Sequence, residues 1–309
     1  MTATSMHFVG YHPPTSVQSR AMKVVARSLE EQLGDAIDFR FTSDIAQLGA
    51  KANDLLAMVE SGDLDGCYFY ASYLAKRVPE IGLFELPFQI SERNRAYAML
   101  DGPLGARIAD SIAANTGYKA LAFWDNGIRH ISNARRPLRS PADCEGLRIR
   151  TAFNDFHQAC FRALGFEPMA IDVKDLPAAV RDGTVDAQEN PLTNVINYSV
   201  QTYHPHITLT GHLFGISLVL VNARRYESWP DAVREALAKA LVPATEAQRR
   251  YAAEDDITCM KTLTGEGTQI VTLRAGELTA FAEAVAGVVA AERKRFAPDL
   301  LAMFDAGLK

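Results

Sequence analysis

The 309-residue sequence has little of what marks a disulfide-bonded, membrane-spanning or nucleic-acid-binding protein. Its four cysteines are widely spaced, without the close pairs of structural zinc sites and redox motifs. The longest apolar run near the middle, Ile216 to Val221, is far shorter than the roughly 20 residues that cross a bilayer. The net charge of -5 provides no positive field, so nucleic acid is not an expected partner.

Sequence motifs of enzymes are also missing. The chain has no Gly-x-Ser-x-Gly elbow and no Gly-x-x-x-x-Gly-Lys phosphate loop. His204, His206 and His212 form the one histidine cluster, but Pro205 interrupts it and no set of acidic or cysteine ligands is apparent nearby. We therefore expect hydrogen-bonded histidines rather than a metal site, no cofactor, and no catalytic residues.

What the sequence does contain is the alternation of an α/β protein, at a length that suits two domains. From Met6 to Leu83 strand and helix patterns alternate, which predicts a parallel sheet. A strand from Ala120 to Trp124 ends in the turn composition Asp125-Asn126-Gly127, the first candidate crossover between domains. Beyond it the alternation restarts, which indicates the second domain.

The last third of the chain predicts strands and then a long helix. Two β-rich runs, His206 to Thr210 and Gly215 to Val221, are separated by Gly211 to Phe214. The segment from Pro230 to Leu263 has helical propensity except at Pro243, and a helix of this length would cross both domains. Pro243 lacks a backbone donor, so we expect it to kink or divide this helix.

Two short strands carry the most informative polar residues. The first, within Gly146 to Arg150, ends in arginine, and the second, within Val185 to Pro191, ends in Glu-Asn before proline. The planar guanidinium of Arg150 matches the two oxygens of a carboxylate and stays charged at physiological pH. An arginine at a strand end is, however, more often a surface or salt-bridge residue.

The neighbouring residues leave alternatives open. Asn190 could cap the helix that follows Pro191, because asparagine satisfies backbone donors at a helix start. Glu189 could pair with one of the arginines, and we assign it no chemistry.

Three segments together resemble the solute-binding proteins of tripartite ATP-independent periplasmic (TRAP) transporters, the DctP-like family. They are Phe84-Glu85-Leu86-Pro87-Phe88, the segment Ala122 to Asn133 with Trp-Asp-Asn-Gly-Ile-Arg, and the two strand ends with Gly-Leu-x-Ile-Arg and Asp-x-Gln-Glu-Asn-Pro. The resemblance extends from about Met6 to the C-terminus.

The resemblance implies an α/β, two-domain periplasmic-binding-protein-like fold with a hinge, a central ligand cleft and a long helix crossing both domains. Both domains are expected to be discontinuous. Domain I would contain residues 1–126 and 214–255, and domain II residues 127–213 and 256–309.

The resemblance also implies roles for individual residues. Arg150 would hold the ligand carboxylate, Arg129 would be a second basic contact, and Asn190 would hydrogen-bond the same carboxylate. More weakly, it places six aromatic or apolar residues in or beside the cleft: Tyr70, Tyr73, Phe88, Phe153, Val173 and Phe214. These side chains favour a compact organic acid with an apolar or aromatic portion.

The function implied is binding of a small carboxylate by hinge closure and its delivery to the membrane subunits of a TRAP permease. The protein would be a monomer, with a dimer as the alternative. An enzyme acting on an organic acid, with Glu189 or His130 as acid–base group, and a ligand sensor without a transport role are the alternative functions. The first residues lack the basic and apolar segments of an export signal, so we expect a periplasmic protein whose signal has been removed, or else a cytoplasmic one.

Overall fold

The structure is a computed structural model that describes residues 3–309. Eleven α-helices and nine β-strands alternate within these residues. The strands are β1 (Thr4–Val9), β2 (Ile37–Thr42), β3 (Gly66–Tyr70), β4 (Tyr118–Asn133), β5 (Arg148–Thr151), β6 (Glu167–Ala170), β7 (Ala187–Pro191), β8 (His206–Asn222) and β9 (Gln269–Thr272). The helices are α1 (Val17–Leu33), α2 (Ala52–Ser61), α3 (Arg93–Asp101), α4 (Pro103–Asn115), α5 (Asp155–Ala163), α6 (Leu176–Arg181), α7 (Leu192–Asn197), α8 (Ala223–Ser228), α9 (Asp231–Gly265), α10 (Ala275–Arg293) and α11 (Pro298–Gly307).

The chain folds as two compact units. Unit 1 contains the described residues up to Ala71, together with Gly105–Asp125 and Ile216–Asp255. Unit 2 contains Ser72–Leu104, Asn126–Gly215 and Asp256–Lys309. The elements β4, β8, α4 and α9 each contribute residues to both units.

Unit 1 is built on parallel strands, as the sequence predicts. Strand β1 lies between β2 and β3 and is parallel to both, and β3 pairs antiparallel with the end of β8. Gly66 begins β3, where a Cβ atom would lie 2.6 Å from the ring of Phe8 and 2.8 Å from the carbonyl oxygen of Leu220. Only glycine therefore fits at this strand contact.

In unit 2 the strand that carries Arg150 and the strand that carries Asn190 lie side by side. Strand β5 lies between β6 and β7 and is parallel to both, with Arg150 opposite Gln188. Strand β7 in turn pairs antiparallel with the second half of β4, so that Arg129 lies opposite Pro191. Because β5 and β7 run in the same direction, their C-terminal ends meet at one edge of the sheet.

Two predicted strand breaks are wrong. Strand β4 continues through the expected turn at Asp125-Asn126-Gly127, because the residues after it pair with β7. Gly127 has a φ of 96°, and a Cβ atom there would lie 2.5 Å from Cβ of Pro191. Glycine therefore allows the close pairing of β4 with β7 at this position. Strand β8 likewise includes the expected separator from Gly211 to Phe214, because it is held at its start by β9 and at its end by β3.

The expectation that Pro243 divides the long helix is also wrong. Helix α9 is a single helix of 35 residues with Pro243 inside it. Pro243 is exposed, whereas Leu241 and Ala244 on either side are buried. Packing on both sides of the proline therefore holds the helix together despite the missing backbone donor.

The two units differ from the expected domains at residues 72–104, which were assigned to domain I and lie in unit 2, and the predicted domain boundaries stay a prediction. Contacts far along the chain explain this. The ring of Phe84 packs edge-on against Phe304 at 5.9 Å, and Ser72 Oγ accepts a hydrogen bond of 2.8 Å from Asn154 Nδ2. Met1 and Thr2, also assigned to domain I, lie outside the described residues. A division into domains that move relative to each other stays a prediction.

Candidate functional site

Arg150, at the end of β5, is a buried cation without a counter-ion in the described part of the chain. Its side chain is 2% exposed, and its Nε donates a 2.8 Å hydrogen bond to the carbonyl oxygen of Ile171. Its Nη2 has no hydrogen-bond partner among residues 3–309, and none of their carboxylates lies within ion-pair distance. A buried unpaired charge is costly by several kcal/mol, so this guanidinium is suited to receive an anion.

Aromatic side chains lie beside this guanidinium. Burial raises the pKa of Tyr73, while the charge of Arg150 and a hydrogen bond from it act in the opposite direction. The ring centroids of Tyr73 and Phe153 are 6.5 Å apart, and Phe153 is 44% exposed. Val173 is buried. It follows Asp172 in the sequence, and the negative charge of Asp172 raises the pKa of Tyr73. Tyr73 thus lies near Arg150, and Phe153, which is partly exposed, packs beside Tyr73.

Arg129 is equally buried but has an ion-pair partner within unit 2. Its Nε donates to Glu189 Oε2 at 2.5 Å, and its Nη2 donates to Glu189 Oε1 at 2.8 Å. The alternative that Glu189 pairs with an arginine is therefore confirmed. The pair is bidentate, which is the strongest geometry between these groups.

The protonation of this pair is set by its surroundings. Burial raises the pKa of Glu189, but the charge of Arg129 and hydrogen bonds outweigh it and hold that pKa well below its usual value. Burial lowers the pKa of His212, whose Nε2 lies 3.4 Å from Glu189 Oε2. Burial also lowers the pKa of His130 to about 3. At neutral pH Glu189 is ionised and both histidines are uncharged.

Asn190 belongs to the same network. Its Oδ1 accepts hydrogen bonds of 3.2 Å from Arg129 Nη2 and Asn194 Nδ2, and its Nδ2 donates to Gln188 at 2.6 Å. Helix α7 begins after Pro191 without a side-chain cap, so the alternative role of Asn190 as a helix cap is wrong. The amide bonds neighbouring side chains instead, which fixes its orientation.

The remaining predicted residues are Phe88, Phe214 and Tyr70, and they do not all belong to one unit. Phe88 has a φ of 60°, and its N–H donates to the carbonyl oxygen of His212 at 2.8 Å. Phe214 is buried and packs edge-on against Tyr97 at 6.0 Å. Tyr70 is buried at the end of β3 in unit 1, whereas all the other predicted site residues belong to unit 2.

Sequence reasoning missed a neighbouring group at the start of α5. Asn154 caps this helix by accepting the His157 N–H, and it donates to Ser72 Oγ. His157 Nε2 lies 2.6 Å from Glu85 Oε2, and both side chains are buried. The signal was present, since asparagine before the acidic first turn of a helix is a common N-cap. A cavity of about 430 Å³ in unit 2 borders this group and Phe153, but not Arg150.

The histidine cluster is accounted for by hydrogen bonds. His204 Nδ1 lies 3.1 Å from Ser132 Oγ, and His206 Nδ1 lies 2.9 Å from Gln269 Oε1. Within residues 3–309, no three His, Cys, Asp or Glu side chains are grouped so that they could hold a metal ion. No helix in this part of the chain is both long and apolar enough to span a bilayer.

Comparison with known proteins identifies the family. The family model described as "Bacterial extracellular solute-binding protein, family 7", DctP, matches residues 8–295. A solute-binding protein of Verminephrobacter eiseniae is 30% identical over 83% of this chain and 76% of its own length. The 2,3-diketo-L-gulonate-binding periplasmic protein YiaO of Escherichia coli is 26% identical over 88% of this chain and 82% of its own.

Solved structures show the same fold. A TRAP periplasmic solute-binding protein of Bordetella bronchiseptica, with density interpreted as pantoate, has a TM-score of 0.90 and 28% identity, covering 97% of this chain and 98% of that one. The sugar-acid-binding protein of Advenella mimigardefordensis, in complex with galactonate, has a TM-score of 0.94 and 22% identity, covering 99% and 98%. The predicted two-domain α/β fold of periplasmic binding proteins is confirmed, and so is the resemblance seen in the sequence. The chain belongs to the DctP family, the bacterial extracellular solute-binding proteins of family 7 that include the solute receptors of TRAP transporters.

Proposed function

We propose that this protein binds a small organic acid, with Arg150 holding the ligand carboxylate. The observation that carries the proposal is the buried guanidinium of Arg150, which lacks a carboxylate partner among the described residues. A bound carboxylate would supply the missing counter-charge and accept a hydrogen bond from Nη2. Such a charge-assisted contact is strongest where water is excluded.

The other predicted residues would support this contact. Asn190 is held in place by Gln188 and Asn194, and Arg129 is held by Glu189, so both would present oriented groups to a ligand. Because Arg129 is already neutralised, its contribution would be hydrogen bonding rather than net charge. Tyr73 and Phe153 would cover an apolar portion of the acid.

The relatives support an organic acid as the ligand class. The Bordetella protein carries density interpreted as pantoate, the Escherichia coli relative is named for 2,3-diketo-L-gulonate, and the Advenella protein binds galactonate. All three compounds are carboxylates that differ in the rest of the molecule. A shared carboxylate anchor with a variable second half explains how one fold serves them all.

Delivery of the bound acid to a TRAP permease, outside the cytoplasm, is the second part of the proposal. Its support is family membership and the relatives that are named periplasmic. The chain passes between its two units several times, as the hinged receptors of this kind require, and ligand-driven closure would signal occupancy to the permease.

The family consists of solute-binding proteins, and the site argues against the alternative of an enzyme. A general acid or base works best with a pKa near the working pH. The pKa of Glu189 is held far below that range and the pKa of His130 is about 3. Recovery of the bound acid unchanged after prolonged incubation with the protein, measured by mass spectrometry, would support binding alone; a released product would contradict it.

The decisive test uses Arg150 and its neighbour on the same strand. A thermal-shift screen of carboxylic acids, including pantoate, galactonate and succinate, would identify a ligand for calorimetry. We expect Arg150→Ala to abolish binding and Arg150→Lys to weaken it by about 30-fold or more, since an ammonium cannot reproduce the planar fork.

Arg148→Lys is the matched control, because Arg148 lies on the same strand and bonds Asp186 instead. We expect it to retain wild-type affinity. Near-wild-type affinity of Arg150→Lys, or equal losses in both variants, would contradict the proposed contact.

A further inference from the structure

The aromatic pair Tyr73 and Phe153 is flanked by two buried polar residues that are bonded to each other. Ser72 precedes Tyr73 in the chain, and Asn154 follows Phe153. Asn154 Nδ2 donates a hydrogen bond of 2.8 Å to Ser72 Oγ. Ser72 is 2% exposed and Asn154 is 6% exposed, and both pairs belong to unit 2. The bond therefore joins the two backbone segments that carry the aromatic rings.

The backbone around Phe153 is fixed by further hydrogen bonds of Asn154. The N–H of Asn154 donates to the carbonyl oxygen of Ala152 at 2.8 Å, which closes a three-residue turn centred on Phe153. The Oδ1 of Asn154 accepts the His157 N–H at 3.0 Å and so caps α5. Because both side-chain atoms and the N–H of Asn154 are bonded, this residue has one orientation, and the position of Phe153 follows from it.

A second contact between the same segments is weaker. Lys76 Nζ lies 2.9 Å from Asp155 Oδ2, but these side chains are 71% and 78% exposed. Such an ion pair contributes little, because solvent screens it and the ordering of two long side chains costs entropy. A buried hydrogen bond contributes more, because its loss leaves a buried donor unsatisfied. We therefore attribute the spacing of the two segments to the bond between Ser72 and Asn154.

Phe153 also borders the cavity of about 430 Å³ in unit 2. Ser72, Phe153 and Asn154 line this cavity. Neither Tyr73 nor Arg150 is among its lining residues. The ring of Phe153 is 44% exposed, so packing alone does not confine it. A Phe153 ring that turned into the cavity would leave more room beside Tyr73.

We propose that the Ser72–Asn154 hydrogen bond sets the position of the Phe153 ring and thereby limits the size of the acid that the site accepts. Ser72 and Asn154 are positioning residues, since they act through Phe153. The inference rests on the proposed function, because the acid is placed on Arg150, which is hydrogen-bonded to Tyr73. Compact acids fit beside the aromatic pair, whereas longer acids require the Phe153 ring to move.

The test uses four monocarboxylates that share a 2-oxo acid head and increase in size: pyruvate, 2-oxobutyrate, 4-methyl-2-oxopentanoate and phenylpyruvate. We expect wild-type protein to bind at least one of the aliphatic acids more tightly than phenylpyruvate in calorimetry. Ser72→Ala should shift the affinity ratio toward phenylpyruvate by about fivefold or more, which corresponds to one buried hydrogen bond. Phe153→Ala should shift it by about tenfold or more, because it removes the limiting ring.

The two substitutions should not be additive, because Ser72 acts through Phe153. In the Phe153→Ala variant, the further change Ser72→Ala should leave the affinity ratio unchanged. A purely structural role of Ser72 would lower the affinities for all four acids in proportion and would leave the ratio as it is. Ser72→Thr keeps the hydroxyl group and should retain the wild-type ratio. If Ser72→Ala does not fold, Ser72→Cys replaces it, since sulfur is a weak acceptor.

Ser111→Ala is the matched control. Ser111 Oγ also accepts a hydrogen bond from an asparagine, Asn115 Nδ2 at 3.2 Å, but this pair lies on α4 in unit 1. The substitution removes the same kind of bond away from Phe153. We expect the affinity ratio of this variant to equal that of wild type.

A crystal structure of Ser72→Ala tests the position of the ring without any ligand. We expect the Phe153 ring to move toward the cavity, so that its centroid lies farther from that of Tyr73 than the 6.5 Å of the wild-type protein. If the four acids do not bind while another acid of the screen does, this structure alone decides.

An unmoved ring, an affinity ratio that Ser72→Ala leaves unchanged, or equal shifts in Ser72→Ala and Ser111→Ala would overturn the inference. Failure of every acid in the screen to bind, or binding independent of Arg150, would instead overturn the proposed function itself.

Discussion

Arg129 and Arg150 show how identical side chains acquire different roles from their partners. Both are about 2% exposed, and both lie on strands of unit 2. The guanidinium of Arg129 donates hydrogen bonds to the carboxylate of Glu189, which neutralises its charge. The guanidinium of Arg150 donates to a backbone carbonyl oxygen, and its charge is not neutralised. Burial alone therefore does not identify a ligand-binding arginine. Burial together with the absence of a carboxylate partner among the described residues is what distinguishes Arg150 from Arg129.

A second consequence at the residue scale concerns His204. Its side chain is fully buried, and burial lowers its pKa from 6.5 to about 4, partly offset by the charge of Asp186. Between these two pH values the unfolded chain binds a proton that the folded protein does not. Acidification from pH 6.5 should therefore reduce the free energy of unfolding, by at most about 1.4 kcal/mol per pH unit from this group.

His204→Gln should make that dependence less steep, because the variant has no proton to take up on unfolding. Urea unfolding of both proteins at pH 7, 6 and 5, followed by tryptophan fluorescence, would measure the difference. The other buried histidines contribute equally to both proteins, so the difference between the slopes isolates His204. Parallel slopes would show that His204 does not titrate in this range.

At the scale of elements, α9 shows packing overriding local preference. A proline inside a helix removes one hydrogen bond and costs about 3 kcal/mol relative to alanine. Helix α9 nevertheless continues through Pro243, whose side chain is exposed while Leu241 and Ala244 are buried. Tertiary contacts therefore maintain the helix although Pro243 makes its local free energy less favourable.

Replacing Pro243 by alanine should accordingly stabilise the protein. We expect the free energy of unfolding to rise by about 1–3 kcal/mol, the gain in the helix being reduced by the greater freedom of the unfolded chain. Denaturant titration with circular dichroism would measure it.

Pro298→Ala provides the comparison, since Pro298 occupies the first turn of α11, where proline is favourable. That variant should change stability by less than about 1 kcal/mol, or lower it slightly. Equal stabilisation by both substitutions would contradict the argument.

At the scale of the whole molecule, the two units share five chain crossings, at residues 71–72, 104–105, 125–126, 215–216 and 255–256. A ligand that contacts residues of both units would favour an arrangement in which both contacts are made. This is the physical basis for expecting closure in this family fold.

Closure should be visible in solution as a smaller radius of gyration. Small-angle X-ray scattering with and without a saturating concentration of the acid found in the screen would measure it. Arg150→Ala at the same acid concentration should show no decrease, which separates binding from effects of the solution. An unchanged radius for ligand-saturated wild type would count against hinge closure.

The sequence alone determined the family, the α/β class and the position of Arg150. These follow from short segments, because a strand that ends in Ile-Arg and one that ends in Glu-Asn-Pro are local patterns with local consequences. It could not determine that β4 and β8 run unbroken, since their continuity depends on hydrogen bonds to strands distant in sequence. The same holds for residues 72–104, whose unit is decided by packing on α5 and α11.

The charge of the proposed site was likewise decided only by the tertiary structure. Arg129 and Glu189 are 60 residues apart, and they meet because β4 and β7 pair in one register. The sequence offered pairing of Glu189 with an arginine as one alternative, without indicating which arginine. Since Coulomb energy depends on distance in space and on burial, the three-dimensional fold decides which arginine is paired with Glu189 and which has no carboxylate partner.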